Sequence, residues 1–270
     1  MEEKMEIPIY VGTMGWSYAD WNGIFYPNET AARDAIALYA RAFQAVEIDS
    51  TFYGTPREAT VKHWKTSTPD SFVFCPKVPR AITHDAGLID VLEPLREFTR
   101  TMRLLGAKLG PMLLQMPPDF TRAELPALRD LLPVLAELQD PAVRFAMEFR
   151  HRSLLGEDVS ELLRQHNVAL VSADYAPMPK RFDPTADFAY LRLIGRHGAF
   201  PHHRAPQADK TPDIEKWAGA IRANEDKFRA AYVFCNNDYE GYSPDTCNKF
   251  KRLVGQEATE RPPEAQGSLF

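Results

Sequence analysis

Cysteine is scarce in this sequence: there are three, Cys75, Cys235 and Cys247, and none forms a C-x-x-C pair. An odd number without metal-ligand spacing points away from a disulfide framework and a zinc knuckle. Cys75 and Cys235, set in apolar strand-like runs, read as buried thiols. No stretch approaches the eighteen or so apolar residues that a membrane span requires. Basic residues are not in excess either, since 32 Lys and Arg stand against 37 Asp and Glu for a net charge of -5. That balance argues against a surface coated with cations for wrapping duplex DNA, although a local basic pocket stays open. No G-x-G-x-x-G follows the first strand-like run, and neither G-x-x-x-x-G-K-[ST] nor H-E-x-x-H occurs. The dinucleotide and P-loop readings lose their main support, and a divalent metal has no ligand motif behind it. Met1 to Glu6 is acidic and polar without an apolar h-region, so the cytoplasm is the expected location.

What the sequence does have is rhythm. Eight short apolar runs recur: Ile9 to Gly12, Ala45 to Ile48, Phe72 to Lys77, Met112 to Gln115, Arg144 to Phe149, Ala169 to Ala173, Phe188 to Leu193, and Ala231 to Cys235. Each has strand length and is rich in Val, Ile, Leu, Phe or Tyr. Between them lie helix-spaced stripes such as Leu95, Phe98, Met102 and Leu105, or Leu125, Leu128, Leu132 and Leu135. An alternation of about eight units predicts an α/β fold, a single (β/α)8 TIM barrel with a parallel eight-stranded sheet, over residues 1–254. Gly195 to Pro212 breaks the rhythm as a long loop able to fold over the site. Residues 255–270 have too little apolar content to pack and are expected to be a flexible tail.

The strand ends are unusually polar, and in this fold the carboxyl ends of the strands form the site. Glu47 ends the second run, Lys77 the third, Gln115 the fourth, Glu148, Arg150 and His151 the fifth, Asp174 the sixth, Arg192 the seventh, and Asn236 and Asn237 the eighth. Alternation puts Ala146, Glu148 and Arg150 on one face, Tyr190 with Arg192, and Ser172 with Asp174, all read as inward. A ring of Lys77, Arg150 and Arg192 against Glu47, Glu148 and Asp174 satisfies itself and still offers cations to an anionic ligand. Any one of these charges could equally be structural. Glu47 and Glu148 are candidates for an acid/base pair or for metal binding, with Lys77, His84 and Asp174 as further catalytic candidates. Trp16, Tyr18, Trp21 and Tyr53 are placed to stack on a base or sugar, or to plug the end of the barrel. Arg80, Gln115, Arg150, His151, Arg192, Asn236 and Asn237 complete the expected substrate-binding set.

The stretches Gly12-Thr13-Met14-Gly15-Trp16-Ser17-Tyr18, Val46-Glu47-Ile48-Asp49-Ser50-Thr51-Phe52-Tyr53, Ile82-Thr83-His84, Gln115-Met116-Pro117-Pro118, Glu148-Phe149-Arg150-His151 and Asn236-Asn237-Asp238 run in one order along the chain. Collinear, they resemble the signature segments of the YecE-like family of unknown function. The resemblance implies a TIM barrel without an established activity. Two departures stand out: Met14 where the family pattern has a small Ser, and Leu154 where a Trp is more usual.

Gln266-Gly267-Ser268-Leu269-Phe270 resembles the short Q-x-[S/D]-L-F peptide by which bacterial replication and repair proteins dock on the DNA sliding clamp. Leu269 and Phe270 would enter an apolar groove while Gln266 bonds at its rim. Together these features lead us to expect an enzyme of nucleic acid or nucleotide phosphoesters, a hydrolase tethered to the clamp. A barrel enzyme of a phosphorylated or acidic sugar and a non-catalytic nucleic-acid-binding module are the alternatives.

Overall fold

The computed structural model describes residues 7–140 and 143–259, and in it seven of the eight apolar runs each hold one parallel strand and the sixth holds two. The strands are β1 (Ile9–Met14), β2 (Ala45–Ile48), β3 (Val73–Pro76), β4 (Met112–Gln115), β5 (Phe145–Glu148), β6 (Ala169–Leu170), β7 (Ser172–Asp174), β8 (Ala189–Leu193) and β9 (Ala231–Cys235). The sixth run is split at Val171. Its first half pairs with β5 and its second with β8.

The result is an α/β fold of two parallel sheets rather than one uninterrupted ladder. Six strands follow the order β3-β2-β1-β9-β8-β7, and three the order β4-β5-β6. The sheets meet at two seams. One is the single residue Val171, whose N–H donates to Met147 O. At the other, isolated parallel bridges Phe74–Leu109 and Lys77–Leu113 join the β3 and β4 regions. An apolar inner cluster draws one or two residues from nearly every strand, among them Met14, Ala45, Cys75, Leu113, Ala146, Ala169, Tyr190 and Phe234. Residues of the opposite parity, such as Val46, Leu114, Met147 and Leu191, pack with the helices. The two-residue period thus feeds two cores from one set of strands.

Helices fill the outer layer as the stripes require. In α3 (Leu92–Met102), Leu95, Phe98 and Met102 are wholly buried, each worth about 1.5–3 kcal/mol of transfer free energy. The segment before α4 (Leu125–Leu138) is capped reciprocally: Ala123 N–H donates to Thr121 Oγ1, and Thr121 N–H donates to Glu124 Oε2 at 2.6 Å. At Gly12 the sheet leaves no room for a side chain, since a Cβ would fall 1.9 Å from Ala45 O. The other helices are α1 (Ala35–Tyr39), α2 (Glu58–Thr66), α5 (Glu157–Gln165), α6 (Thr211–Arg222), α7 (Asn237–Glu240) and α8 (Ser243–Leu253). Among the described residues no helix is long and apolar enough to cross a membrane.

Two expectations change here. The first residues of the segment expected to be flexible are tied to the fold: Gln256 Nε2 donates to Ile9 O at 2.7 Å, and Thr259 N–H donates to Asn248 Oδ1 at 3.1 Å. Gln266, Leu269 and Phe270 lie outside the described residues. Asp174, expected inward, faces the helices, because Ala169 and Val171 take the inner positions of its strand and alternation carries the next outward residues to 172 and 174.

Candidate active site

The carboxyl ends of β2, β5 and β8 bring Glu47, Glu148 and Arg192 together with almost no exposure. Arg192 sits between the carboxylates. Its Nε and Nη2 donate to the two oxygens of Glu47 at 3.0 and 2.7 Å, and its Nη1 donates to Glu148 Oε2 at 2.5 Å. Tyr190, one inward step below Arg192 on β8, donates its hydroxyl to Glu47 Oε2 at 2.7 Å. Arg150 pairs with the other oxygen of Glu148 and lies with its guanidinium 4.1 Å from the Tyr175 ring. Charge-assisted contacts, bidentate between Arg192 and Glu47, explain how four ionic groups share a buried site, while Arg150 Nε and Glu148 Oε1 meet as an ion pair without hydrogen-bond geometry.

The two carboxylates are not equivalent. Burial pushes Glu47 up to about 6; Arg192 opposes this and Asp49 reinforces it. Burial acts on Glu148 in the same sense, but Arg192 and Arg150 together outweigh it and hold Glu148 below the usual carboxylate range. Two carboxylates driven apart in this way are how a site keeps one proton available beside one fixed negative charge. The shift is also a statement about stability. Since the folded value of Glu47 exceeds the ordinary 4.5, its contribution is fully present below pH 4.5 and is lost as pH rises through about 6. The stability difference between the parent protein and Glu47→Gln should therefore move by about 2 kcal/mol across that window, read from urea midpoints at successive pH values. A flat difference would remove the assignment.

Lys77 reaches the same mouth from the end of β3, its amine 4.1 Å over the Phe52 ring. Burial, then Arg192, lowers its pKa against the pull of Asp49, Glu47 and Glu148. His84 meets the Phe52 ring edge-on with centroids 5.0 Å apart, and its Nδ1 shares a hydrogen bond with Thr83 Oγ1 at 2.9 Å. Burial and the charges of Lys77 and Arg80 hold its pKa down. Met14, the departure noted in the sequence, turns its thioether to Arg192 Nη2 at 3.4 Å and to Asn236 Nδ2 at 3.6 Å. Beside this centre runs a cleft of about 260 Å³ lined by Gly15, Trp16, Ser17, Tyr18, Asp49, Ser50 and Tyr53. Tyr53 is 87% exposed.

The remaining expected residues have structural partners. Trp21 is wholly buried among Tyr18, Phe25, Tyr26 and Tyr242. Asp174 Oδ2 accepts from Trp217 Nε1 at 3.0 Å and Tyr239 OH at 2.8 Å and pairs with Lys180, away from Arg192. Arg80 is exposed beside Asp85. His151 caps the turn after β5 through Ser153, Asn236 caps α7 through the Asp238 N–H, and Asn237 Oδ1 accepts from Ser243. Gln115 pairs in register with Glu148 and donates its amide to Met116 O at 2.7 Å. Among the described residues no group of three or more His, Cys, Asp or Glu side chains is arranged to hold a metal ion. Tyr190 and Tyr175 were missing from the expected set. Tyr190 shares the inward parity of Arg192, a signal that was there to use; nothing in the sequence marks Tyr175.

The long loop after β8 is anchored rather than free. His203 N–H donates to Asp20 Oδ2 at 2.7 Å, both His203 and His197 approach Asp238 at 3.3 Å, and Lys210 N–H donates to Glu240 Oε1 at 2.8 Å.

Comparison with known proteins places this architecture. A family model described as "Protein of unknown function DUF72" matches residues 10–267. The UPF0759 protein YecE of Escherichia coli K12 is 32% identical over 175 residues, 63% of this chain and 60% of that protein. The chain thus matches less than two thirds of the length of that relative. A DUF72 family protein from Thermotoga maritima superposes with a TM-score of 0.77 at 28% identity, over 92% of this chain and all of that one. A fusion protein with a xylose isomerase-like TIM barrel superposes with a TM-score of 0.51 at 16% identity, over 92% of this chain and 42% of that one, a likeness of fold alone.

Proposed function

Since the chain belongs to the family described as "Protein of unknown function DUF72", its chemistry has to come from the site, and we propose an enzyme that works by general acid–base catalysis on a phosphate-bearing ligand. The ligand class we assign is nucleic acid or a nucleotide, processed at the mouth of a closed eight-unit barrel. One observation carries the reading: a single buried arginine holds two carboxylates whose proton affinities are driven in opposite directions. Glu47 gives and takes the proton, and Glu148 stays charged and orients Arg192 and Arg150. Among the described residues Lys77 is the cation of this centre that pairs with no carboxylate, so it meets the phosphate. Trp16, Tyr18 and Tyr53 line the cleft in which a base or sugar stacks. Nothing in this reading requires a metal, and nothing in it forbids one. The segment Gln266–Phe270 extends the proposal to a place of work, docked on the sliding clamp.

The test is turnover. Single-stranded, nicked and abasic oligonucleotides, nucleotides and sugar phosphates are offered in parallel, with and without divalent cations. Hydrolysis of a member of the nucleic-acid group is expected, with Glu47→Gln slower by ~100-fold or more and a thermal midpoint within a few degrees of the parent. Inorganic phosphate should raise the midpoint of the parent and of Lys77→Arg, and raise it less in Lys77→Ala. Turnover confined to sugar phosphates moves the assignment to a small-molecule enzyme. Full activity in Glu47→Gln, or none with any substrate, overturns it.

A further inference from the structure

Four buried or half-buried lysines can be compared within this one protein. Lys108 donates its amine to Lys65 O and Thr68 O at 2.6 and 2.7 Å; Lys251 donates to Ala42 O at 3.2 Å; Lys249 pairs with Glu240 at 2.9 Å. These are lysines used for structure, and each donates to at least one protein oxygen. Lys77 differs. Among the described residues its amine has neither a hydrogen bond nor an ion pair, only the face of Phe52. Three carboxylates share the mouth and none pairs with this amine: Glu47 is held by Arg192 and Tyr190, Glu148 by Arg192 and Arg150, and Asp49, which of the three acts on Lys77 most strongly, approaches Arg192 Nη2 at 4.0 Å.

We propose that Lys77 is an amine nucleophile that condenses with the aldehyde of a ring-opened sugar, with Glu47 moving the protons. An unpaired amine beside a proton-carrying carboxyl at the end of a barrel strand is what carbonyl chemistry needs, and both the depressed proton affinity of Lys77 and the raised one of Glu47 favour it. The neutral amine attacks the carbonyl carbon, a C–N bond forms, and the carbonyl π pair moves to oxygen. A proton passes from nitrogen to that oxygen through Glu47. Protonation of the resulting hydroxyl by Glu47 lets it leave as water while the nitrogen lone pair closes the C=N bond. Aldehyde, amine and one proton become an iminium and water, and no oxidant or reductant enters. The inference gives Lys77 a role as a neutral amine where the phosphoester reading uses it as a cation, and adduct formation is measured apart from phosphoester turnover.

The same aldehyde is carried by an abasic deoxyribose in DNA and by a free aldose phosphate, so both are used. Full-length protein is incubated with an abasic-site oligonucleotide or with glyceraldehyde 3-phosphate in sodium cyanoborohydride, which reduces the imine to a stable secondary amine, and adducts are located by peptide mass mapping. Lys77 should be labelled at least tenfold faster than exposed Lys62, and the faster of the two probes identifies the source of the aldehyde. Lys77→Arg keeps the charge and loses the nucleophile, so it should retain the phosphate-induced thermal shift yet lose the adduct. Glu47→Gln should slow adduct formation and flatten its pH dependence between about 5 and 7. Labelling of Lys77 no faster than Lys62 with both probes, or an undiminished adduct yield in Lys77→Arg, overturns the proposal even if phosphoester turnover is found.

Discussion

Arg192→Ala should destabilise the protein by about 3–5 kcal/mol, the cost of leaving buried charge without its partner. Three N–H groups of Arg192 hold Glu47 and Glu148, and both carboxylates have no solvent exposure to fall back on. Urea unfolding at pH 7 measures the loss, with the slope of the transition checked for constancy. The deficit has a sign in pH. Without the guanidinium both carboxylates resist ionisation in the folded state, so their folded pKa values rise above the unfolded ones. The deficit must therefore shrink as pH falls toward 4 and widen as it rises through neutrality. A companion variant separates charge from packing: Glu47→Gln, Glu148→Gln and Arg192→Met together remove the three most buried charges while keeping approximate volumes, leave Arg150 over the Tyr175 ring at the edge of the site, and should recover most of what Arg192→Ala loses. A loss under about 1 kcal/mol in Arg192→Ala would mean that water reaches these carboxylates and that the site is far wetter than its burial implies.

A synthetic peptide of residues 255–270 should bind the bacterial sliding clamp with micromolar affinity, about 8 kcal/mol, a modest figure because a short segment must offset its own ordering on binding. Leu269 and Phe270 are the two apolar anchors of the segment, and anchors of this kind hold most of the energy of a small interface. Replacing both with Ala should abolish binding of the peptide and of the full chain by calorimetry. The thermal midpoint should stay where it was, since neither core cluster uses any described residue beyond Val254. Absence of binding in the parent protein removes the replication link and leaves the chemistry of the mouth to stand alone.

Much of this architecture was legible in the amino-acid sequence because two signals reinforced each other. Strand runs of four to six residues were visible as apolar islands, and three of the expected runs coincide with β2, β4 and β9 to the residue. Where an inward face alternates between a large charged residue and an outward Leu or Met, as in Ala146-Met147-Glu148 or Tyr190-Leu191-Arg192, parity could be read off and was right. Asp174 failed for a reason of the same kind. Ala169, Val171 and Ala173 are small and apolar, so nothing in the run said which face was which, and the polar residue was assigned to the polar mouth. The helix layer proved able to satisfy a carboxylate with Trp217 Nε1 and Tyr239 OH, partners that sit 43 and 65 residues away and that no local pattern announces. The discontinuity at Val171 was equally silent, because a strand interruption changes hydrogen-bond partners without changing the composition of the run.

That discontinuity reaches into the chemistry. The three strands β4, β5 and β6 come from one contiguous stretch of chain, residues 112–170, and join the other six through a few isolated bridges and one residue of transition. Glu148 rides on the smaller sheet; Glu47 and Arg192 ride on the larger. The bond from Arg192 Nη1 to Glu148 is thus a clasp across the two sheets. Amide hydrogens of 112–170 should exchange as one cooperative block, and whatever ligand bears on both carboxylates at once would slow that exchange from a distance by holding the clasp shut.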